Sequence, residues 1–183
     1  PVLAPGNPGE WDDFTVASPW VLRESAGGTA RYRMWYRGCR GTGRERACAI
    51  GHAASPDGLR WTKTARPVFE PPSAIERRQL RGVTVVRRAE GYLLWYSLTP
   101  ELFNKGKAST LHLATSSDGL RWEAAGEVAE ASEHLPYPIE PSVLDAAGTL
   151  HLWFVDSLRH LEKDNYAEHE GAPYLRHFTS SDG

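Results

Sequence analysis

A short turn motif recurs along this chain at a nearly constant spacing. Residues 55–61 read SPDGLRW, residues 116–122 read SSDGLRW, and residues 180–183 read SSDG. The aspartates of the successive copies are 61 (118 − 57) and 64 (182 − 118) residues apart. A fixed period of this size is the signature of a repeat architecture, so the chain is expected to fold as structurally equivalent units.

Each unit carries the same series of short apolar runs ahead of that motif. An aromatic run recurs as YRMWY at 32–36, YLLWY at 92–96 and LHLWF at 150–154, each after a hairpin signal that contains glycine. Asp-Gly between apolar runs is itself a strong hairpin signal, because glycine accepts a positive φ without steric cost. The pattern predicts four short antiparallel strands per unit, with the fourth strand beginning at Leu-Arg-Trp.

Four-stranded units repeated radially predict an all-β protein, a β-propeller. The predicted blades cover about residues 11–66, 80–127 and 138–183, and the third blade lacks its last strand. Because propellers close with roughly four to eight blades, we expect about three blades of a protein that is five-bladed when complete. The parent chain is then expected to continue past Gly183, with an aromatic residue about three positions further on, as in the earlier copies of the motif. The alternative is a three-unit protein completed by self-association through its open blade edge.

Composition excludes several functional classes. The 183 residues include 21 Lys and Arg and 23 Asp and Glu, for a net charge of −2. That balance predicts no nucleic-acid partner and no polybasic membrane surface, and no apolar run is long enough to span a bilayer. The histidines lack metal-ligand spacing and no glycine-rich phosphate loop or zinc motif is present, so the sequence predicts no metal and no cofactor.

The two cysteines leave two interpretations open. Cys39 and Cys48 bracket the loop between strands two and three of the first unit. Cross-strand positions near the base of a hairpin are within disulfide reach. A disulfide fits a secreted protein and two free thiols fit a cytoplasmic one, so the sequence does not decide the localisation.

The direction of the strands predicts at which of two rims each loop lies. If strand one of each blade starts at the upper rim, the loops between strands two and three and the connections between blades also lie there. The Asp-Gly turns then fall at the lower rim, and Asp57, Asp118 and Asp182 are expected to cap backbone N–H groups of those turns. The long, non-repeating segments all belong to the upper rim, where function is therefore expected.

The upper rim carries the candidate carboxylates and one unrepeated tryptophan. Glu140 stands at the start of strand one of the third unit, where the other units have Ser18 and Gly82, so the repeat does not require it. Tryptophans that recur in every unit are expected to pack between blades. Trp11 lies outside the repeat and is either a flat platform for a sugar ring or part of the core. The remaining carboxylates of this rim are Glu10, Asp12, Asp13 and Asp156.

Several of these motifs together resemble a known superfamily. They are WDD at 11–13, MWY at 34–36, IGHAASPDGLRW at 50–61 and the closing Pro-Val at 67–68. The chain resembles, over its whole length, blades one to three of the five-bladed propellers of the arabinanase, invertase and levansucrase superfamily, which includes glycoside hydrolase families 32, 43, 62 and 68. The resemblance implies a glycoside hydrolase-like protein with a carbohydrate substrate or ligand at the upper rim.

The resemblance also implies roles for individual residues. Glu140, within Ile-Glu-Pro, matches the general acid of blade three. The base of blade one directly precedes a proline in those families, and this chain has Ser18 there, so Asp12 or Asp13 is the candidate base. The blade-two carboxylate is replaced around residues 81–82. The candidate substrate-binding residues are Trp11, Arg81 and Asp156.

The incomplete match leaves a second function open. Glycoside cleavage uses one protonated carboxyl to deliver a proton to the leaving oxygen and one ionised carboxyl to activate water or attack carbon. Glu140 alone cannot do both at once in an inverting mechanism. The alternative is therefore a non-catalytic propeller that binds a glycan or another protein through its upper rim.

Overall fold

A computed structural model describes residues 1–26, 29–100, 109–130, 138–156 and 174–180. Its strands form three antiparallel sheets. The first sheet consists of β1 (Thr15–Ala26), β2 (Thr29–Arg40), β3 (Ala47–Ser55) and β4 (Thr62–Lys63). The second consists of β5 (Leu80–Arg88), β6 (Gly91–Leu98), β7 (Thr110–Ser116) and β8 (Glu123–Glu130). The third consists of β9 (Pro138–Ala146), β10 (Thr149–Asp156) and β11 (Tyr174–Ser180).

Each sheet is a blade whose strands follow chain order from the inside outward. The order is β1-β2-β3-β4, β5-β6-β7-β8 and β9-β10-β11, and β5 contacts β1 on one side and β9 on the other. Strand one of every blade is therefore innermost, next to the axis. The predicted all-β propeller is confirmed, with two four-stranded blades and three strands of a third among the described residues. The third Asp-Gly turn, with Asp182, lies outside the described residues.

The repeated tryptophans hold neighbouring blades and turns together. Trp35 is fully buried, and its Nε1 donates to the carbonyl of Gly119 in the turn of the next blade at 2.9 Å. Trp61 and Trp122 instead donate to their own turns, at Gly58 and Gly119. Strand four begins one residue after the tryptophan, at Thr62 and Glu123, so the prediction that Leu-Arg-Trp begins the strand was wrong by three residues.

The aspartates of the lower-rim turns accept hydrogen bonds from backbone N–H groups. Asp57 Oδ1 accepts from the N–H groups of Leu59 and Arg60 at 2.9 and 2.8 Å. Asp118 Oδ1 accepts from the two equivalent N–H groups of its own turn at 2.7 and 2.8 Å. These backbone hydrogen bonds favour the ionised form and hold the pKa of both carboxyls below its usual range. The interpretation of Asp57 and Asp118 as turn formers is confirmed.

A polar network joins blades one and two near the lower rim. The guanidinium of Arg33 donates to His52 Nε2 at 3.1 Å, to the hydroxyl of Tyr92 at 2.9 Å and to the carbonyl of Asp118 at 2.9 Å. The Tyr92 hydroxyl in turn donates to Glu24 at 2.7 Å. We call these five residues the lower network. Burial, and secondly the charge of Arg33, lowers the pKa of His52 to about 4.

The upper rim contains a disulfide and a short helix instead of such a network. Cys39 and Cys48 face each other across β2 and β3 and form a disulfide, with Cα atoms 4.0 Å apart. A short helix, α1 (Ala74–Gln79), lies between blades one and two and begins with a capping box formed by Ser73 and Glu76. Within the described ranges, no helix is long and apolar enough to cross a membrane.

Candidate functional site at the upper rim

The innermost strand of each blade is irregular at the same point. The pairing with strand two slips around Ser18 in β1, around Gly82 in β5 and around Glu140 in β9. Ser18 and Glu140 both have a φ of 51°, in the left-handed region that side chains other than glycine seldom adopt. A bulge re-aims the side chain of the extra residue and is common next to active sites. The three equivalent positions thus present Ser, Gly and Glu at the upper end of the axis.

Blades two and three touch directly at these bulges. A Cβ atom added at Gly82 would lie 2.8 Å from Cα of Glu140 and 2.9 Å from Cδ of Pro141. Real Cβ atoms essentially never approach backbone that closely, so any side chain at position 82 would force the two strands apart. The blade-two carboxylate implied by the resemblance therefore has no room in this packing.

Glu140 is exposed at the start of β9, and within the described residues its carboxylate makes no hydrogen bond or ion pair. Its charge acts on Arg37 of β2, although the two form no ion pair. Burial, and secondly the positive charge of Arg46, lowers the pKa of Arg37, whereas the negative charge of Glu140 raises it. Glu140 is thus an exposed carboxylate that makes no hydrogen bond or ion pair among the described residues and interacts electrostatically with the half-buried Arg37.

Two guanidinium groups converge on the backbone carbonyl of Leu80, two residues before Gly82. Arg37 Nη1 donates to the carbonyl oxygen of Leu80 at 3.2 Å, and Arg81 Nη1 donates to the same oxygen at 2.9 Å. Arg37 Nε is buried and has no hydrogen-bond partner among the described residues. Gly82 directly follows Arg81 in the chain and packs on the backbone of Glu140. We therefore group Arg37, Arg81, Gly82 and Glu140 as the upper cluster.

The sequence analysis missed Arg37, although a signal for it exists. Its equivalents in strand two of the other blades are Ser97 and Val155, so the repeat does not require an arginine there. A comparison of equivalent positions in the three units singled out Glu140 on strand one. The same comparison on strand two singles out Arg37. The contact with Leu80, 43 residues away, is visible only in the fold.

Buried hydroxyl groups without partners gather at the upper end of blade two. The side-chain oxygens of Ser97, Thr99 and Ser109 are buried and make no hydrogen bond within the part of the chain that the structure describes. Ser97 pairs with Arg81 in the sheet, so this group borders the upper cluster. Native proteins leave few buried polar atoms unsatisfied, and such atoms often mark functional positions.

The two candidate bases have different surroundings. Asp12 is 2 % exposed, pairs with Lys63 Nζ at 2.7 Å and accepts from the Tyr36 hydroxyl at 3.0 Å. Burial, and secondly the charge of Asp12, raises the pKa of that tyrosine. Asp13 is half-buried, and its Oδ2 accepts from the N–H of Gly9 at 2.8 Å. The structure thus joins Asp12 to Lys63 rather than to the upper cluster.

The three candidate substrate-binding residues occupy three parts of the rim. Trp11 is half-buried and stacks on Tyr36, with ring centroids 5.9 Å apart. It also borders a cavity of about 260 Å³ that includes Arg40, Glu70 and Arg77. Arg81 belongs to the upper cluster. Asp156 ends β10 opposite Pro138, close in register to Glu140. In the part of the chain that the structure describes, no three His, Cys, Asp or Glu residues are arranged to hold a metal ion.

Comparison with known proteins gives relatives of the sequence and of the fold. No protein-family model matches the chain. An uncharacterized protein of Mycobacterium tuberculosis, found in two strains, is 34% identical over 121 residues, which is 64% of this chain and 37% of that protein. The chain therefore spans little more than a third of the curated relatives it matches.

Solved structures share the fold at low sequence identity. A family 117 glycoside hydrolase of the marine bacterium Zobellia galactanivorans has a TM-score of 0.70 and 15% identity, covering 100% of this chain and 57% of that one. A structure from the GH130 family of mannoside phosphorylases, which contains glycoside hydrolases that target β-1,2 mannosidic linkages in Candida mannan, has a TM-score of 0.67 and 17% identity. It covers 100% of this chain and 54% of that one. The chain has the fold of the five-bladed β-propeller glycoside hydrolases and spans about half of each of these two structures.

Proposed function

We propose that the full-length protein is a glycoside hydrolase that acts on carbohydrate at the upper rim, with Glu140 as general acid. The observation that carries the proposal is the exposed Glu140 carboxylate, which makes no hydrogen bond or ion pair among the described residues. It sits at an axial bulge where the other blades have Ser18 and Gly82. The glycoside hydrolases that share the fold support the substrate class.

The proposed chemistry assigns one proton transfer to Glu140. In its protonated form it delivers a proton to the oxygen of the leaving sugar, and a second, ionised carboxyl activates water or attacks the anomeric carbon. Asp12 and Asp13 are the candidates for the second role. Asp13 is favoured because Asp12 is neutralised by Lys63, and taking up a proton would break that buried pair. Trp11, Arg81 and Asp156 are the proposed substrate contacts.

The test compares two kinds of substrate in Glu140→Gln of the full-length protein. Gln keeps the size of the side chain but cannot donate the proton, so turnover of unmodified oligosaccharides should fall about 10²–10⁴-fold. Aryl glycosides with good leaving groups need little protonation and should lose far less. Steady-state kinetics over a panel of both kinds measures the difference.

Glu90→Gln is the matched control, because Glu90 is an exposed carboxylate at the opposite end of β5. It should leave both kinds of turnover unchanged. Equal losses on oligosaccharides and aryl glycosides in Glu140→Gln, or no loss at all, would remove Glu140 from the acid role.

The lack of two carboxylates that the resemblance implies favours a second candidate function, a non-catalytic propeller that binds glycans. Ser18 and Gly82 occupy the positions where the resembling families place two of theirs, and Asp12 is engaged by Lys63. On this alternative the wild-type protein binds oligosaccharides without cleaving them. Calorimetric binding together with product analysis on the same panel separates the two functions.

A further inference from the structure

We propose that the hairpin tip at residues 40–46 and the cavity beside it bind an acidic sugar unit, one that carries a carboxylate or sulfate group. The inference deepens the proposed function, because it names the class of glycan, and it rests on the ligand being a glycan. The cavity lies at β3, the third strand outward from the axis in blade one. Two inter-strand spacings of roughly 4.8 Å separate β3 from the innermost strand, so this site and Glu140 would hold different units of one glycan.

The first argument is an excess of positive charge without partners. The hairpin tip contains three arginines and one glutamate, a local net charge of +2 in a chain whose net charge is −2. Arg40 and Arg44 are exposed, and among the described residues their guanidinium groups make no hydrogen bond or ion pair. Arg46 donates to Cys48 Sγ at 3.3 Å. An anion near the hairpin tip is therefore attracted by cations that the fold does not use.

The second argument is that the hairpin tip is ordered without a ligand. The Cys39–Cys48 disulfide closes its base, and a 3₁₀ turn forms at Gly43–Glu45. Arg78 of α1 donates to the carbonyl of Arg44 at 3.3 Å and so ties the tip to the neighbouring helix. Binding costs less when the binding groups are already held in place.

The third argument is the cavity of about 260 Å³ beside the hairpin tip. Arg40 and Arg77 line it together with Trp11, a tryptophan that the repeat does not require. Arg77 is matched by Glu70, 3.9 Å away, so Arg40 is the cation that remains for a ligand. Tryptophan offers a flat apolar surface with one polar N–H group, which suits the apolar face of a sugar ring. An indole and a guanidinium around one cavity thus fit a sugar with an anionic substituent.

The edge of β3 adds backbone groups for the sugar hydroxyls. The N–H and carbonyl of Ile50 point away from β2, because they bond to Phe69 and Val68. Backbone groups two residues apart in an antiparallel strand point the same way. Those of Cys48, which lines the cavity, therefore also point away from β2. β4 pairs with residues 53–54 and stops short of this edge.

The experiment measures binding of immobilised polysaccharides to full-length Glu140→Gln, in which the proposed cleavage is suppressed, by biolayer interferometry. The probes are pectate and alginate, which carry carboxylates, carrageenan, which carries sulfate, and neutral dextran. At least one acidic probe should bind more tightly than dextran, and its binding should weaken at high salt. A preference for pectate or alginate identifies a carboxylate ligand, and a preference for carrageenan identifies a sulfated one.

Arg40→Gln, added to that protein, should weaken binding of the acidic probe about 10-fold, the effect of one charge-assisted hydrogen bond. Arg44→Gln, at a tip residue that does not line the cavity, should weaken it less. Arg31→Gln, at an exposed arginine near the opposite end of β2, is the matched control with the same change in net charge and should change nothing.

Two results would overturn the proposal: no acidic probe binds more tightly than dextran, or Arg31→Gln weakens binding as much as Arg40→Gln does. Equal losses in Arg40→Gln and Arg44→Gln would overturn the assignment to the cavity. Arg40-dependent binding without glycan cleavage by the wild-type protein would reject the hydrolase and keep this site. Glycan cleavage without Arg40-dependent binding would keep the hydrolase and reject this site.

Discussion

The lower network and the upper cluster are both built around an arginine of β2, but they use it in opposite ways. Arg33 donates to three acceptors and lies 3.9 Å from Glu24, so its charge and its donors are matched within the fold. Among the described residues, Arg37, four residues further along the same face of the strand, has a single acceptor and an unpaired Nε. Its charge is opposed by Arg46 and favoured by Glu140, with which it forms no ion pair. The first arrangement stabilises the packing of blades one and two. The second leaves binding capacity unused.

The same contrast holds for the carboxylates of the two rims. One carboxylate oxygen of Asp57 and of Asp118 accepts from two backbone N–H groups, whereas Glu140, at a φ of 51°, makes no hydrogen bond or ion pair among the described residues. Strained backbone and unsatisfied polar groups cost stability and persist where function requires them. The comparison therefore supports the proposal that the lower rim is structural and that ligands bind at the upper rim.

The largest expected effect is the difference in the free energy of unfolding between Arg33→Gln and Arg37→Gln. Arg33→Gln breaks up the lower network and leaves Glu24 without its cation, which should lower the free energy of unfolding by about 3–5 kcal/mol. Arg37→Gln removes one hydrogen bond and relieves repulsion, so its cost should be about 1 kcal/mol or less. Urea denaturation of both variants measures the difference. Equal losses would mean that the two arginines play the same structural role.

A pH effect of up to about 3 kcal/mol is expected from His52. Its pKa is about 4 in the native protein, below its usual value of 6.5, because burial and Arg33 disfavour the cation. As the pH falls from 6.5 to 4, the unfolded chain binds a proton that the native chain does not, so the free energy of unfolding should decrease. His52→Gln should flatten that part of the stability profile. An unchanged profile would show that this histidine does not link the lower network to pH.

A smaller effect, about 1–3 kcal/mol, is expected from Gly82→Ala. The added Cβ meets the backbone of Glu140, so blades two and three must separate at the upper rim. Oligosaccharide turnover should fall together with stability, because Glu140 moves. Ser18→Ala, at the equivalent bulge of blade one, is the control and should change both quantities little. Full turnover in Gly82→Ala would show that the position of Glu140 does not depend on this contact.

Sequence reasoning succeeded where the repeat supplied an internal standard. Three copies of the strand pattern predicted the blades, and two complete Asp-Gly turns predicted the roles of Asp57 and Asp118. The mismatch among Ser18, Gly82 and Glu140 singled out Glu140, whose role stays a prediction. It failed where a side chain meets a partner far away in the chain. The pairing of Asp12 with Lys63 spans 51 residues, and only the fold reveals it. The disulfide, left open by the sequence, is decided by the pairing of β2 with β3.

The most direct test of this division measures melting temperature and oligosaccharide turnover in parallel for Glu140→Gln and Asp118→Asn of the full-length protein. Both changes replace a carboxylate by its amide, one at each rim. Glu140→Gln should keep the wild-type melting temperature and lose turnover, whereas Asp118→Asn should melt lower and, while folded, turn over substrate at the wild-type rate. If Glu140→Gln retains full turnover, or if Asp118→Asn loses turnover without melting lower, the assignment of function to the upper rim is contradicted.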